Sequence, residues 1–225
     1  MRRIGFILFT VVVLATLVKL GLWQMSRAQE KQTLSSALKY RSEQRYYSVA
    51  SLPVDPRWYS LALHGEFDHG KTVLLDNQIY RGRPGYHVLY PFLADGSWVL
   101  VNLGWIAAPA YRDQIPVLPE YHGELKLAGI IAPPSHLMEL KSELLGPDWP
   151  LRVQNLHLSQ LSEIMGLPLM PWILQIDPEH PVALQQNWTP VVMGPQKHYA
   201  YATQWFLMAV AIIGLAVWWL RRSKV

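Results

Sequence analysis

Two long apolar runs bracket this chain, and between them hydrophobic residues tend to recur at every second position. Residues 4–18 are uncharged and nearly all apolar, and the run resumes at Leu20 and Leu22 after Lys19. Counted to Leu22 it has 19 residues, roughly 28 Å as a helix, which is about the thickness of a bilayer's hydrocarbon. Residues 26–44 hold neither Pro nor Gly and are predicted to prolong this helix past the membrane. A cleaved signal peptide is the alternative for the first run, because Arg2 and Arg3 resemble its basic start. No small-x-small cleavage site follows, however, and the run leads straight into Trp23-Gln24 and a polar helical stretch. The second run covers residues 201–220, broken only by Thr203, Gln204 and Gly214. It ends in Trp218-Trp219-Leu220-Arg221-Arg222, aromatic rings followed by cations, as at a membrane surface.

From Trp58 onward the period changes to two. Tyr59, Leu61 and Leu63 alternate with Ser60 and Ala62, and Tyr86, Val88, Tyr90 and Phe92 form a second such series. Val99, Val101, Leu103 and Trp105 form a third, Leu125 and Leu127 a fourth, and Trp172, Leu174 and Ile176 a fifth. Short aromatic and β-branched runs of this kind predict strands. Asp95-Gly96 predicts a two-residue hairpin, and Gly82, Pro84 and Gly85 another turn. Two short helices are predicted among the strands. One starts at Ser135 as N-cap, carries Leu137, Leu140 and Leu144 on one face and stops at Gly146-Pro147. The other covers residues 158–165, with Leu158, Leu161 and Met165 inward and Gly166 as its stop. The fold class expected is therefore a membrane protein of the α+β type. Two transmembrane helices flank one mainly antiparallel β domain, a barrel or a sandwich, with short helices. The expected division is a tail at 1–3, a span at 4–22, the β domain at 23–200, a span at 201–220 and a tail at 221–225.

Charge fixes the expected orientation. The net charge of +4 would suit a nucleic-acid binder, but six of the 20 basic residues are Arg2, Arg3, Lys19, Arg221, Arg222 and Lys224. All 16 acidic residues lie within 23–198, where 14 basic residues leave a net of −2. The basic character belongs to the tails, so no nucleic-acid partner is expected. Around the first run the positive-inside rule is nearly tied, because Arg27 and Lys31 balance Arg2 and Arg3; after the second run three cations decide it. Both tails are expected in the cytoplasm and the β domain outside, in a bacterial inner membrane, since no Arg- and Ser-rich presequence precedes the first run. The lipid bilayer is one partner. With no cysteine in the chain, disulfides, thiolate catalysis and iron–sulfur clusters are excluded.

Few residues carry candidate chemistry. There is no G-x-S-x-G elbow, phosphate-binding glycine loop or H-E-x-x-H, so no enzyme is expected. Asp68-His69 and Asp177-Pro178-Glu179-His180 read as polar loops, and Asn187-Trp188-Thr189 is a glycosylation sequon by spelling alone. One arrangement stands out. His198 lies just before the second run, with Tyr201 three and Trp205 seven residues on, so a helix starting near His198 puts all three on one face. An imidazole beside aromatic rings and the acyl region suits a flat, apolar, metal-containing ligand such as haem, with His198 as ligand to the iron. An amphipathic belt in which His198 and Lys197 simply face water is the alternative, and spacing leaves both open.

The ordered set of short motifs resembles the Surfeit locus protein 1 family, the membrane assembly factors of haem-copper cytochrome c oxidase. Leu20-Gly21-Leu22-Trp23-Gln24 with Arg27 and Lys31 looks like that family's exit from its first span. Gly65-Glu66-Phe67, Leu74-Leu75-Asp76-Asn77-Gln78, Gly85-Tyr86-His87-Val88, Pro91-Phe92, Val99-Leu100-Val101-Asn102 and Gly104-Trp105 follow in order. Pro195-Gln196-Lys197-His198, Tyr201-Ala202 and Trp205-Phe206 close the set. Leu103 departs from it, since the family commonly has an arginine there, and a polar contact made by that arginine to a partner or a haem propionate would be absent here or supplied elsewhere.

The resemblance implies a factor that assists maturation of oxidase subunit I by holding haem a before or during insertion, with haem a synthase as a further partner. In bacterial members the residues matching His198 and Trp205 are implicated in haem binding; Tyr201 joins them here by spacing. Two other classes stay open: a scaffold that holds subunit I through protein contacts alone, and an enzyme anchored on the outer face.

Overall fold

A computed structural model of the chain describes residues 2–134, 148–188 and 194–222. These residues form two compact units, Met1–Ala37 with Thr189–Val225, and Leu38–Trp188. The helix expected from Ser135 lies outside the described residues.

The first unit is a pair of helices. Helix α1 (Arg2–Glu43) is one continuous rod of 42 residues, roughly 63 Å long, so the polar stretch after Trp23 does prolong the first apolar run. The boundary between the units falls near its end. Helix α3 (Pro195–Arg222) begins on a proline, whose missing N–H costs nothing in a first turn. Phe6 packs against Trp219 with tilted rings at 4.2 Å between centroids, and Gly21 lies against the Phe206 ring, so the helices run antiparallel. Beside Leu17, the covered positions are small: Gly21 and Ala28 on α1, Ala202 and Ala209 on α3, each pair seven residues apart. That spacing keeps both members of a pair on one face, and their lack of bulk lets the backbones approach. In the most apolar stretch of each helix only 11% is buried, whereas the core helix of a water-soluble domain would be mostly covered. Ile4, Leu8, Phe9, Val12, Leu207, Val210 and Leu215 are exposed, a surface that suits lipid and not water. The protein is membrane-anchored.

The second unit is a closed, mainly antiparallel β-barrel. Its strands are β1 (Arg45–Tyr46), β2 (Ser60–Phe67), β3 (Val73–Tyr80), β4 (Arg83–Ala94), β5 (Ser97–Ala107), β6 (Leu125–Ala132), β7 (Leu151–Val153) and β8 (Leu169–Ile176). The ring runs β2–β6–β8–β5–β4 and closes between β4 and β2; β1 extends it beside β2, and β3 with β7 beside β4. The pairs β5–β8, β1–β2 and β3–β7 are parallel, the rest antiparallel. Strand β4 makes closure possible by changing partners. Its first half pairs with β3, and its last residues pair with β2 through Gly65↔Ala94 and Phe67↔Phe92.

Alternation places one face of the strands inside. Leu61, Leu63, Val88, Tyr90, Phe92, Val99, Val101, Leu103, Leu127 and Leu174 fill the barrel. The wall of β4, β5 and β8 is also covered outside, where Leu89, Leu100 and Ile173 meet Val73, Leu75, Leu151 and Val153 and the inner face of α2 (Leu158–Met165). Leu158, Leu161 and Met165 are the buried residues of that helix, and Gly166 caps it, as its sequence predicts. Asp95 and Gly96 make the β4–β5 turn with φ of 49° and 72°, the mirror-image turn that matches strand twist. The other turn is Arg81-Gly82; Pro84 and Gly85 lie inside β4 instead, paired to Ile79 and Gln78. Within this unit, which includes the last turns of α1 from Leu38 onward, Arg41 reaches Asp55 at 3.2 Å, and with Arg57 at 2.6 Å it holds the Asp55 carboxyl well below the usual carboxylate range, Arg57 contributing most.

Gly65 is the tightest point of the closure: a β carbon there would stand 1.9 Å from the Leu93 carbonyl oxygen, where no atom fits. Gly65→Val is expected to lower stability by about 2 kcal/mol or more, read by thermal unfolding of the full chain in mild detergent. Gly214→Ala, where an added carbon meets nothing within 4 Å and helix propensity improves, is the control and should not lower the transition.

Candidate functional site

The helical pair brings together residues from opposite ends of the sequence. One turn into α3, His198 is half-buried, and its Nδ1–H donates to Gln24 Oε1 of α1 at 2.8 Å. The neighbouring Tyr199 hydroxyl donates to Gln32 Oε1 at 3.2 Å, two turns further along α1. Trp205, two turns beyond His198, is half-buried on the same side, with buried Ala202 between them. Tyr201 sits at the rim, 49% exposed. His198 and Trp205 therefore share the covered side of α3, while Tyr201 lies at its edge. On α1, Arg27 pairs with Glu30 at 2.7 Å and lies over the Trp23 ring. Chemically this is a single imidazole with one nitrogen committed to an amide oxygen and no partner for the other among the described residues.

The other acid–imidazole neighbours are loop structure. Asp68 caps a 3-10 turn by accepting from the Gly70 N–H at 2.9 Å, and His69 Nε2 contacts the Tyr121 carbonyl at 2.6 Å within a cluster of Phe67, Tyr90 and Tyr121 rings. Burial pushes the Tyr90 hydroxyl up to about 12, and it donates to the Pro119 carbonyl. His180 Nε2 bonds the Lys126 carbonyl at 2.8 Å. Among the described residues no three His, Asp or Glu side chains converge as a metal site would require.

A buried polar cluster that the sequence reading missed lies in the barrel wall. His87 Nε2–H donates to Asn187 Oδ1, its Nδ1 accepts from Asn102 Nδ2 at 3.3 Å, and Asn102 Oδ1 accepts from the Gly104 N–H at 2.9 Å. Asn187 thus serves as a partner in the fold; Thr189 of its sequon lies outside the described residues.

The SURF1 family model matches residues 11–210. The chain belongs to the SURF1 family. A SURF1-like protein of Rickettsia conorii is 22% identical over 231 residues, covering 96% of this chain and 90% of its own. That of Rickettsia felis is 21% identical, covering 93% and 94%. The Surfeit locus protein 1 of Takifugu rubripes is 25% identical over 146 residues, which cover 55% of this chain and 60% of its own. The SURF1 family is tied to assembly of cytochrome c oxidase, and its members are known as assembly factors, not as enzymes.

Most SURF1 motif residues in the barrel turn out to build its wall. Trp105 Nε1–H donates to the Gln78 carbonyl at 2.9 Å, Asn102 and His87 form the buried cluster, and Gly65 permits closure. Leu103 is fully buried in the barrel core, so this position offers no contact to a partner or a propionate. The motifs at the two chain ends meet in the helical pair instead, through Gly21 with Phe206 and Gln24 with His198.

Burial depresses the His87 imidazole below its ordinary value, against a smaller upward pull from Asn187. Its folded form takes up a proton less readily than the unfolded chain, so the stability it supports is present above about pH 6.5 and falls as pH drops through that value. Denaturant titrations between pH 7.5 and 5 should show that loss in the full chain, and His87→Gln should flatten the profile.

Proposed function

We propose that this protein holds haem a at the outer boundary of a bacterial inner membrane and presents it to subunit I during cytochrome c oxidase assembly. Both tails lie in the cytoplasm and the barrel in the periplasm. The observation that carries the reading is His198: a half-buried imidazole where α3 enters its apolar stretch, with Nδ1 bound to Gln24 and Trp205 on the same side. Haem a fits these residues as cargo. Neutral imidazole is a common axial ligand, the long hydrocarbon tail of haem a prefers lipid, and its propionates prefer the interface. Trp205 would offer a ring face to such a ligand, and Tyr201 an exposed hydroxyl as a hydrogen-bonding group. A single protein ligand suits a carrier that has to release what it holds, and haem a synthase is the natural source of the cargo.

A second reading is a scaffold that holds subunit I by protein contacts alone, and the Gln24 bond favours it by giving His198 a structural partner. The two part in one experiment. Full-length protein purified in mild detergent from cells making haem a should carry a Soret band, and His198→Ala should reduce bound haem at least five-fold while subunit I still co-purifies. Equal haem in wild type and variant would leave the scaffold.

A further inference from the structure

The Gln24–His198 bond does more than join two helices. A neutral imidazole has one nitrogen bearing hydrogen and one bearing a lone pair, and the partner of either nitrogen decides which is which. Amide Oε1 only accepts, so a bond between it and Nδ1 has Nδ1–H as donor and leaves the lone pair on Nε2, across the ring. Left to itself in water, a histidine side chain favours the opposite tautomer. The surroundings also restrict the ring. Gly21 and Ala28 flank Gln24 on the covered face of α1, and Ala202 lies one turn from His198 on α3. Tyr199 to Gln32 adds a second hydrogen bond between the same two helices. Gln24 and Gln32 are eight residues apart, slightly more than two turns of α1, so both reach the same side.

We infer that Gln24 is a positioning residue: it sets the tautomer and the aim of His198 so that Nε2 is the nitrogen offered to haem iron. This rests on the haem-holding reading above and adds to it a residue that need not touch the cargo. Hydrogen bonds of this kind to the far nitrogen of a ligating histidine orient the ring and raise its basicity, and losing one typically costs 10–100-fold in metal affinity.

The test uses the full chain in detergent micelles, with two readouts. In haem-free protein, nitrogen-15 chemical shifts of the His198 ring report the tautomer directly. Wild type is expected as the Nδ1–H form, Gln24→Leu as mainly Nε2–H, and Gln24→Glu, which keeps an oxygen at the same reach, as Nδ1–H again. With haem a titrated in, Gln24→Leu should bind about ten-fold more weakly, and Gln24→Glu should recover most of that loss. Helix content by circular dichroism should match wild type in both variants. An Nε2–H tautomer in wild type, or unchanged affinity in Gln24→Leu while His198→Ala weakens binding, overturns the role of Gln24 alone. Unchanged affinity in His198→Ala overturns the haem reading instead, and the ring shifts still decide what Gln24 does to the imidazole.

Discussion

The antiparallel pairing of the two terminal helices is the constraint on which the site depends. Between apolar helices in lipid the hydrophobic effect contributes little, because the acyl chains are as apolar as the side chains they replace. Pairing must then come from close packing and from a few polar bonds. This chain has both: small residues spaced by seven on each helix, the Phe6–Trp219 contact near one end, and Gln24–His198 with Tyr199–Gln32 near the other. The polar bonds lie towards the end where α1 turns polar, so they leave the apolar middle dry. A site built this way needs no metal cage and no deep cleft; it needs two helices held in one register.

The barrel answers a different constraint. A small antiparallel sheet has edges, and exposed edges invite pairing with other chains. Here β4 closes the ring onto β2, while β3, β7 and α2 cover the outside of the wall, so the central strands are buried on both faces. The short barrel motifs shared with the SURF1 family fall on β2, β3, β4 and β5, the strands that close the ring and line its covered wall. Close packing of Gly65 against Leu93, the Asn102–His87 pair and the Trp105–Gln78 bond are requirements of closure, and they say little about partners.

Much of this was legible in the sequence, and the reasons differ by element. The spans showed because length and missing charge are enough to place a helix in lipid. Strands β2, β4, β5, β6 and β8 showed through alternation, and α2 through its spacing and its glycine stop. Strand β3 did not: Leu74 and Leu75 are buried on opposite sides, one in the barrel and one under α2, which erases the period-two signal. The parallel pairing of β5 with β8 is equally silent in a one-dimensional pattern. For the candidate site, spacing put His198 and Trp205 on one face, and both do lie on the covered side of α3. Gln24 was visible only as a letter in a motif, because its partner lies 174 residues away. His87 was missed for a similar reason, since Asn187 is 100 residues distant.

Because the chain lacks cysteine, the helix pairing can be tested by introducing two. The contacts of Phe6 with Trp219 and Gly21 with Phe206 place the covered residues Leu17 and Ala209 opposite one another. With Leu17→Cys and Ala209→Cys combined, mild oxidation in native membranes should form an intrachain disulfide in most molecules. Val18→Cys with Ala209→Cys, one residue round α1 on its exposed side, should not. Equal cross-linking of both pairs, or none in either, would contradict the helix register that brings Gln24 to His198.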